Sequence, residues 1–424
     1  MSAKSKVLIL SPYDIRNPTS GGEIRSYHLA RQLSAFLEVT YLCFRRESGG
    51  QLARQLIPSL SGDPIEVLHL PRPPRYTGWK ILWGLVGKTP LPLLNYRSRP
   101  MRGLLRTILR SNSFDFVHIE GVHMSSYVGE VLSLPDPPSG VVADWHDVES
   151  ELLRRYSCRE RAVWRRWYAA RTVPKLRAAE VRFLSLADAH LAVSEPERRL
   201  LESLDPRARI WVVENGVDAR YFAEACGPRE GRFRVLFVGA MDYYANADAA
   251  VWFARKVWPQ LRGQGRVFTV VGRSPLPTVR ALAADGEIEV TGTVPDVRPY
   301  YREALVHVVP LRVGGGTRLK IPESMAAGVP VVTTALGAEG LRVRAGEHCL
   351  FAETPEDFRD AIARLLADPD LWRRLSLTAR EFAQREYDWS AVCAPLREIY
   401  GELVGRSERQ PVSRSRSAWR PNRI

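Results

Sequence analysis

Continuous apolar runs alternate with segments of helical spacing along almost the whole chain. In the first half the runs are Val7–Ser11, Val39–Phe44, Phe114–Ile119, Val141–Ala143, Ala189–Val193 and Ile210–Val213. In the second half they are Phe233–Val238, Val267–Gly272, Ile288–Val290, Val306–Leu311 and Val329–Thr334. A short run that is apolar throughout and closes on glycine or polar residues is the pattern of a strand buried on both faces, as in a parallel sheet. Between the runs, apolar positions recur with a helical period, as at Ile24, Tyr27, Leu29, Ala30 and Leu33. This alternation predicts an α/β fold with two doubly wound, Rossmann-like halves. The polar stretch Glu224–Gly231 separates them. The expected organisation is an N-terminal domain at 1–223, a C-terminal domain at 231–387, a closing helix at 388–404 and a basic, disordered tail at 405–424.

Two segments interrupt the alternation. Pro71–Pro100 is rich in proline, tryptophan and basic residues, with Trp79, Ile81, Leu82, Trp83, Leu85 and Val86 flanked by Arg75, Lys80 and Lys88. It reads first as a core-packing helix between loops, and second as a face that docks on a membrane interface or holds a lipid-linked acceptor. Ser150–Ser185 predicts a long basic amphipathic helical region. Its acids, Glu149, Glu151, Glu160 and Glu180, disfavour a dedicated nucleic-acid surface and leave a solvated face or an inner-leaflet contact.

The densest chemistry lies between His307 and Leu341. A strand ends in Gly314-Gly315-Gly316, a helix is predicted from about Thr317 to Ala327, and Gly328 closes it. A strand, a glycine loop and a helix N-terminus point unpaired backbone N–H groups at an anion. Arg318 and Lys320 add positive charge to the first turn, where the helix dipole disfavours it, so an anionic ligand is expected there. Glu323, one turn on, can accept from hydroxyls. A diphosphate joined to a ribose satisfies the set. In the first half, Gly21-Gly22 follows the first strand. Glu120 and His123 follow the strand at Phe114–Ile119, and His146 follows that at Val141–Ala143. Polar groups at the carboxyl ends of strands are where open α/β sheets bind ligands.

Glu323-Ser324-Met325-Ala326-Ala327-Gly328-Val329-Pro330-Val331-Val332 resembles the donor-binding signature of the family 4 glycosyltransferases. His118-x-Glu120-Gly121-x-x-Met124 and His146-Asp147-Val148-Glu149 resemble further segments of one branch, and Asn215-Gly216-Val217-Asp218 resembles an element of the family; the branch is similar to sugar transferases of bacterial exopolysaccharide biosynthesis, including those associated with PEP-CTERM systems. The resemblance runs from Val7 to about Leu403. It implies the GT-B fold, two Rossmann-like doubly wound domains facing a central cleft. It also implies retaining, metal-independent transfer of a sugar from a nucleotide diphosphate sugar to an acceptor hydroxyl, with no cofactor. In that reading Gly21, Gly22, Gly239, Gly315, Gly316, Thr317, Arg318, Leu319 and Lys320 bind the donor, Glu323 holds its ribose, and Glu120, His123 and His146 form the catalytic set. The family's first signature glutamate falls on Gly315. Its basic pair after the strand at Phe237–Gly239 is replaced by Met241, Asp242 and Asn246, which leaves Arg318 and Lys320 to hold the diphosphate.

At 424 residues the chain exceeds one core, and its net charge of +14 favours anionic partners. The expected partners are a nucleotide-sugar donor and a glycan or lipid-linked sugar acceptor, with inner-leaflet contact and without nucleic acid. Five scattered cysteines form no metal or disulfide pattern, and no apolar run reaches bilayer length. Together these predict a cytoplasmic or peripheral protein. Two other classes stay open on sequence: a GT-B-like nucleotide-sugar epimerase, and a non-enzymatic protein binding through its basic surface.

Overall fold

The computed structural model describes residues 4–18, 20–45, 52–159, 162–228, 230–231, 233–314 and 319–409. The chain divides into two compact units, Met1–Glu214 with Cys393–Ile424, and Asn215–Val392.

The first unit is built on an eight-stranded sheet of β1 (Lys6–Ser11), β2 (Glu38–Arg45), β3 (Ala53–Ile57), β4 (Ile65–Pro71), β5 (Phe116–Glu120), β6 (Gly140–Trp145), β7 (Ala189–Ala192) and β8 (Ile210–Val212). Their spatial order is β3-β4-β2-β1-β5-β6-β7-β8. Every neighbouring pair is parallel except β3 with β4. Its helices include α1 (Gly21–Ser34), α2 (Gly78–Val86) and α3 (Val163–Leu186). The central strands are buried on both faces, as their continuous apolar runs require.

The second unit has a six-stranded parallel sheet of β9 (Arg234–Val238), β10 (Val267–Val271), β11 (Ile288–Gly292), β12 (Ala304–Val309), β13 (Val331–Thr333) and β14 (Leu350–Phe351), in the order β11-β10-β9-β12-β13-β14. Each sheet thus steps outward from its first strand and then reverses. That reversal is the doubly wound signature and the place where such sheets open a crevice for ligands. In this unit α4 (Tyr244–Lys256) and α5 (Lys320–Ala326) flank the reversal point.

Several expectations need correction. Gly21 and Gly22 are not in a loop; they open α1, capped by a reciprocal Ser20–Glu23 box. The buried stripe of α1 includes Glu23, Arg25 and Ser26, whereas Ile24 and Tyr27 are half-buried. The helix after the glycine triplet is described over Lys320–Ala326, and its expected start at Thr317 lies outside the described residues. The change of unit falls before Asn215, ahead of the polar linker, because the Val217 N–H donates to the Tyr387 carbonyl and ties this strip to the second unit.

The last helix, α6 (Pro395–Arg409), reaches into the segment expected to be a tail, and it belongs to the first unit. Tyr400 Oη lies 2.7 Å from His118 Nδ1, and Leu403 packs where a side chain on Gly140 would stand. Residues 410–424 lie outside the described residues.

The core-packing reading of Pro71–Pro100 is overturned for α2. Trp79 and Leu82 are each 59% exposed, and Trp83, Ile81 and Val86 are exposed as well. Lys80 points inward instead and donates to the Pro74 carbonyl at 2.6 Å. Lys175 of α3 donates to the carbonyls of Gly84 and Leu85 at 2.8 and 2.6 Å, which seats the helix by its backbone and leaves the apolar side chains outside.

Candidate active site

In the first unit the reversal lies between β1 and β5, and its floor is polar. Glu120, the last residue of β5, is fully buried; its Oε2 accepts from Ser11, from Ser26 at 2.6 Å and from Tyr41 at 3.4 Å. Burial pushes its carboxyl above the usual range. Asp144 stands beside it in register on β6. Arg25 reaches down from α1 and grips both Asp144 oxygens, at 2.6 and 2.9 Å, while donating to the Val213 carbonyl at 2.8 Å. Burial opposes ionisation of Asp144, but Arg25 and His146 outweigh it and hold the carboxyl well below its ordinary value.

Above this floor are the two histidines. His146 Nε2 is 3.3 Å from Asp144 Oδ2 and 3.9 Å from Glu120 Oε2, with its ring against Tyr13. Gly121, at φ 71°, turns the chain after β5 so that His123 comes to the rim. There its ring packs on Tyr96 at 4.7 Å and its Nε2 lies 3.6 Å from Glu149 Oε1. Burial, then the nearby His146 and Arg75, lower His123 to about 4. Burial, then Asp147 and Glu180, raise Glu149 to about 7. The three residues named from sequence therefore meet at one sheet edge, in two layers. Glu120 braces the floor, while His123, His146 and Glu149 stand above it.

Gly22 is required by this packing, since a Cβ would lie 2.7 Å from the Tyr13 ring; Gly21 has open space around it. His118, Glu120 and Asp144 bring ligand atoms within 4.8 Å of one another, close enough for a cation. Arg25 already supplies positive charge to Asp144, and Tyr400 occupies His118 Nδ1, while His118 Nε2 and Glu120 Oε1 are buried without a hydrogen-bond partner.

In the second unit the reversal lies between β9 and β12. Lys320, at the start of α5, extends across the end of β9 to Asn246 of α4, donating to its Oδ1 at 2.7 Å and lying 4.7 Å from the Phe237 ring centroid. Gly239 is glycine for this reason: a Cβ there would stand 2.9 Å from Lys320 Nζ and 2.8 Å from Asn246 Nδ2. Asn246, buried, also donates to the Ala240 carbonyl at 2.9 Å. Beneath, His307 accepts from the Val238 N–H, and burial with Lys320 nearby lowers it to about 3. Glu323 sits one turn along α5, half-buried, and burial raises it to about 7 despite the opposing pull of Lys320. Leu319 is the N-cap residue of α5. Gly315, Gly316, Thr317 and Arg318 lie outside the described residues.

Family models match both units: "Glycosyl transferase 4-like domain" over residues 20–216 and "Glycosyl transferases group 1" over residues 232–368. The chain belongs to glycosyltransferase group 1, family 4. This family 4 chain is 30% identical over 259 residues to D-inositol 3-phosphate glycosyltransferase of Thermobispora bispora, covering 54% of this chain and 59% of that one. It is 30% identical over 237 residues to phosphatidyl-myo-inositol mannosyltransferase of Mycobacterium tuberculosis, covering 53% and 62%. In both cases the match spans less than two thirds of the relative.

Among solved structures, sucrose-phosphate synthase of Thermosynechococcus elongatus superposes with a TM-score of 0.67 at 18% identity, over 95% of this chain and all of that one. Anabaena HepE, solved with UDP and glucose, gives 0.63 at 13% identity, over 94% and 99%. The two parallel-sheet units have the GT-B fold. The family signature at Glu323–Val332 falls on α5 and β13, at the reversal point of the second sheet.

Arg25 and Tyr13 were not singled out from sequence; Glu149 entered only within the family-like segment and Asn246 only as a replacement in the family's basic pair. For Arg25 the signal was present: Gly22, Arg25 and Ser26 share one face of α1, and a small or polar stripe facing a sheet marks a helix laid over polar chemistry.

Proposed function

We propose that this family 4 chain is a retaining, metal-independent glycosyltransferase. It moves a sugar from a nucleoside diphosphate sugar to an acceptor hydroxyl, in bacterial polysaccharide or envelope glycan synthesis. The observation that carries the reading is the Lys320–Asn246–Gly239 cradle with Glu323 one turn away. The Lys320 ammonium, anchored on Asn246, is placed to meet a diphosphate, with Arg318 as second cation, and a carboxylate one turn on suits ribose hydroxyls. On the acceptor side, His123, His146 and Glu149 supply the polar groups. The T. bispora and M. tuberculosis relatives are named for a phosphorylated inositol and a phosphatidylinositol, which supports an acceptor of related chemistry.

The test is a thermal-shift panel of UDP, GDP, ADP and dTDP and their sugar conjugates on wild type and Glu323→Ala. One base family should stabilise the wild type and lose most of its effect in the variant. No stabilisation by any nucleotide would sink the reading. The pH dependence has a defined sign. Glu323 must be ionised to accept from two hydroxyls, so stabilisation by the chosen nucleotide should grow as pH rises from about 6 to about 8. In Glu323→Gln that growth should disappear.

The reading includes peripheral contact with an anionic inner leaflet through α2. Among the described residues no helix is long and apolar enough to cross a membrane. The exposed indoles of Trp79 and Trp83 instead suit the headgroup layer. From Pro71 to Phe114 the sequence holds no Asp or Glu, which suits a negatively charged surface. Trp79→Ser with Trp83→Ser should release the chain from phosphatidylglycerol vesicles in a flotation assay and leave thermal stability nearly unchanged. Wild-type chain that stays in the soluble fraction would count against the contact.

A further inference from the structure

Arg72 and Arg75 follow the carboxyl end of β4 in a loop stiffened by Pro71, Pro73 and Pro74. Both guanidinium groups converge on one phenol hydroxyl: Arg72 Nη2 and Arg75 Nη2 donate to Tyr96 Oη, the second at 3.3 Å, and their carbons lie 4.5 and 5.8 Å from the Tyr96 ring centroid. Neither forms an ion pair among the described residues, and Arg72 Nε is buried without a hydrogen-bond partner. Two like charges held on a single neutral acceptor repel each other and leave most of their N–H donors unused.

The loop itself is fixed rather than incidental. The Tyr76 N–H donates to the buried Asn95 side chain at 3.3 Å, Lys80 binds the Pro74 carbonyl, and Tyr127 Oη donates to the Tyr96 carbonyl at 2.7 Å. The Tyr96 ring also packs on His123, with ring centroids 4.7 Å apart, and His123 meets Glu149. The arginine pair therefore stands one aromatic ring away from the rim of the candidate active site, on the side of the exposed helix α2.

We infer that Arg72 and Arg75 form an anion clamp for a phosphate group carried by the acceptor. A phosphate ester offers the several oxygens that two forked guanidinium groups need, and it relieves their mutual repulsion. The acceptor class is thus a phosphate monoester or diester, supplied either as a lipid headgroup or as a free sugar or polyol phosphate. This rests on the glycosyltransferase reading only for the word acceptor; the clamp itself is a property of the first unit.

The experiment uses the full chain, as wild type, Arg72→Gln/Arg75→Gln, and Tyr96→Phe. Two probes are titrated: phosphatidylcholine vesicles containing phosphatidic acid, and glycerol 3-phosphate in solution. The double variant should bind at least one probe about tenfold or more weakly. Tyr96→Phe keeps the ring packing while releasing both guanidinium groups, so it too should lose affinity even if the double variant folds poorly. Loss confined to vesicles assigns the clamp to a lipid headgroup, and loss with glycerol 3-phosphate as well assigns it to phosphate esters in general.

Three results would overturn the clamp: wild type binding neither probe, both variants binding as wild type does, or an equal loss in the exposed-base control Lys88→Gln/Arg110→Gln, which would mean diffuse attraction to positive charge. Nucleoside diphosphate stabilisation, followed in the same samples, should be equal in wild type and the double variant. Its absence everywhere would remove the donor reading while leaving the clamp standing.

Discussion

Lys320→Ala should remove most of the donor affinity and lower kcat/KM by about a hundredfold to a thousandfold, the range expected when a main cation facing a leaving diphosphate is lost. The size of the effect follows from the cradle. The ammonium is fixed by Asn246 at 2.7 Å and by the Phe237 face, and the missing side chain of Gly239 leaves space that the Lys320 and Asn246 side chains take up. A fixed charge needs no reorganisation when negative charge builds on the leaving group. Lys320→Arg should recover only part of the activity, because a planar guanidinium does not fit where a Cβ on Gly239 would already lie 2.9 Å from Nζ. If Lys320→Ala is stabilised by nucleoside diphosphates as strongly as wild type, the cation is structural and the diphosphate binds elsewhere.

Asp144→Ala should cost about 3–5 kcal/mol of stability in urea denaturation, because it strands the buried Arg25 charge without its carboxylate. Both side chains are at most 1% exposed, and the guanidinium makes two contacts to the carboxylate and two to backbone carbonyls. The pH dependence has a definite sign as well. Asp144 is held below its ordinary value in the folded chain, so its contribution is present at neutral pH and is lost as pH falls below about 4. Asp144→Asn should flatten that acid limb. Arg25→Met combined with Asp144→Leu should cost less than either single removal, since no charge is left unmatched. A single-variant loss below about 1 kcal/mol would mean that water reaches the pair.

The fold was legible wherever strands are buried on both faces, because burial forces a continuous apolar run. It was illegible at the edge. β3 reads Ala-Arg-Gln-Leu-Ile with one buried residue, and β4 interleaves Glu66 and His69 with its apolar positions. The Pro71–Pro100 segment misled for a related reason: an apolar helical pattern does not state which solvent its side chains face, and here backbone bonds from Lys175 seat the helix instead.

In the candidate site, Glu120, His123 and His146 were singled out because they follow strands, Lys320 because it follows the glycine triplet at a helix start, and Glu323 through the family signature. Arg25 escaped notice, and Asn246 was read only as a replacement for a family base, because each lies inside a helix, facing inward. Their work depends on partners 119 and 74 residues away, and a linear pattern does not carry such pairings.

The return of α6 to the first unit has a consequence for biosynthesis. Tyr400 closes over His118 and Phe116, and Leu403 fills the space beside Gly140, so the interior of the first half is completed by residues that follow the whole second unit in sequence. The amino-terminal sheet emerges from the ribosome with part of its interior uncovered and must wait through the synthesis of the whole second half. A nascent chain that stalls before residue 400 therefore presents an unsealed, apolar surface, the state that chaperones hold and proteases remove.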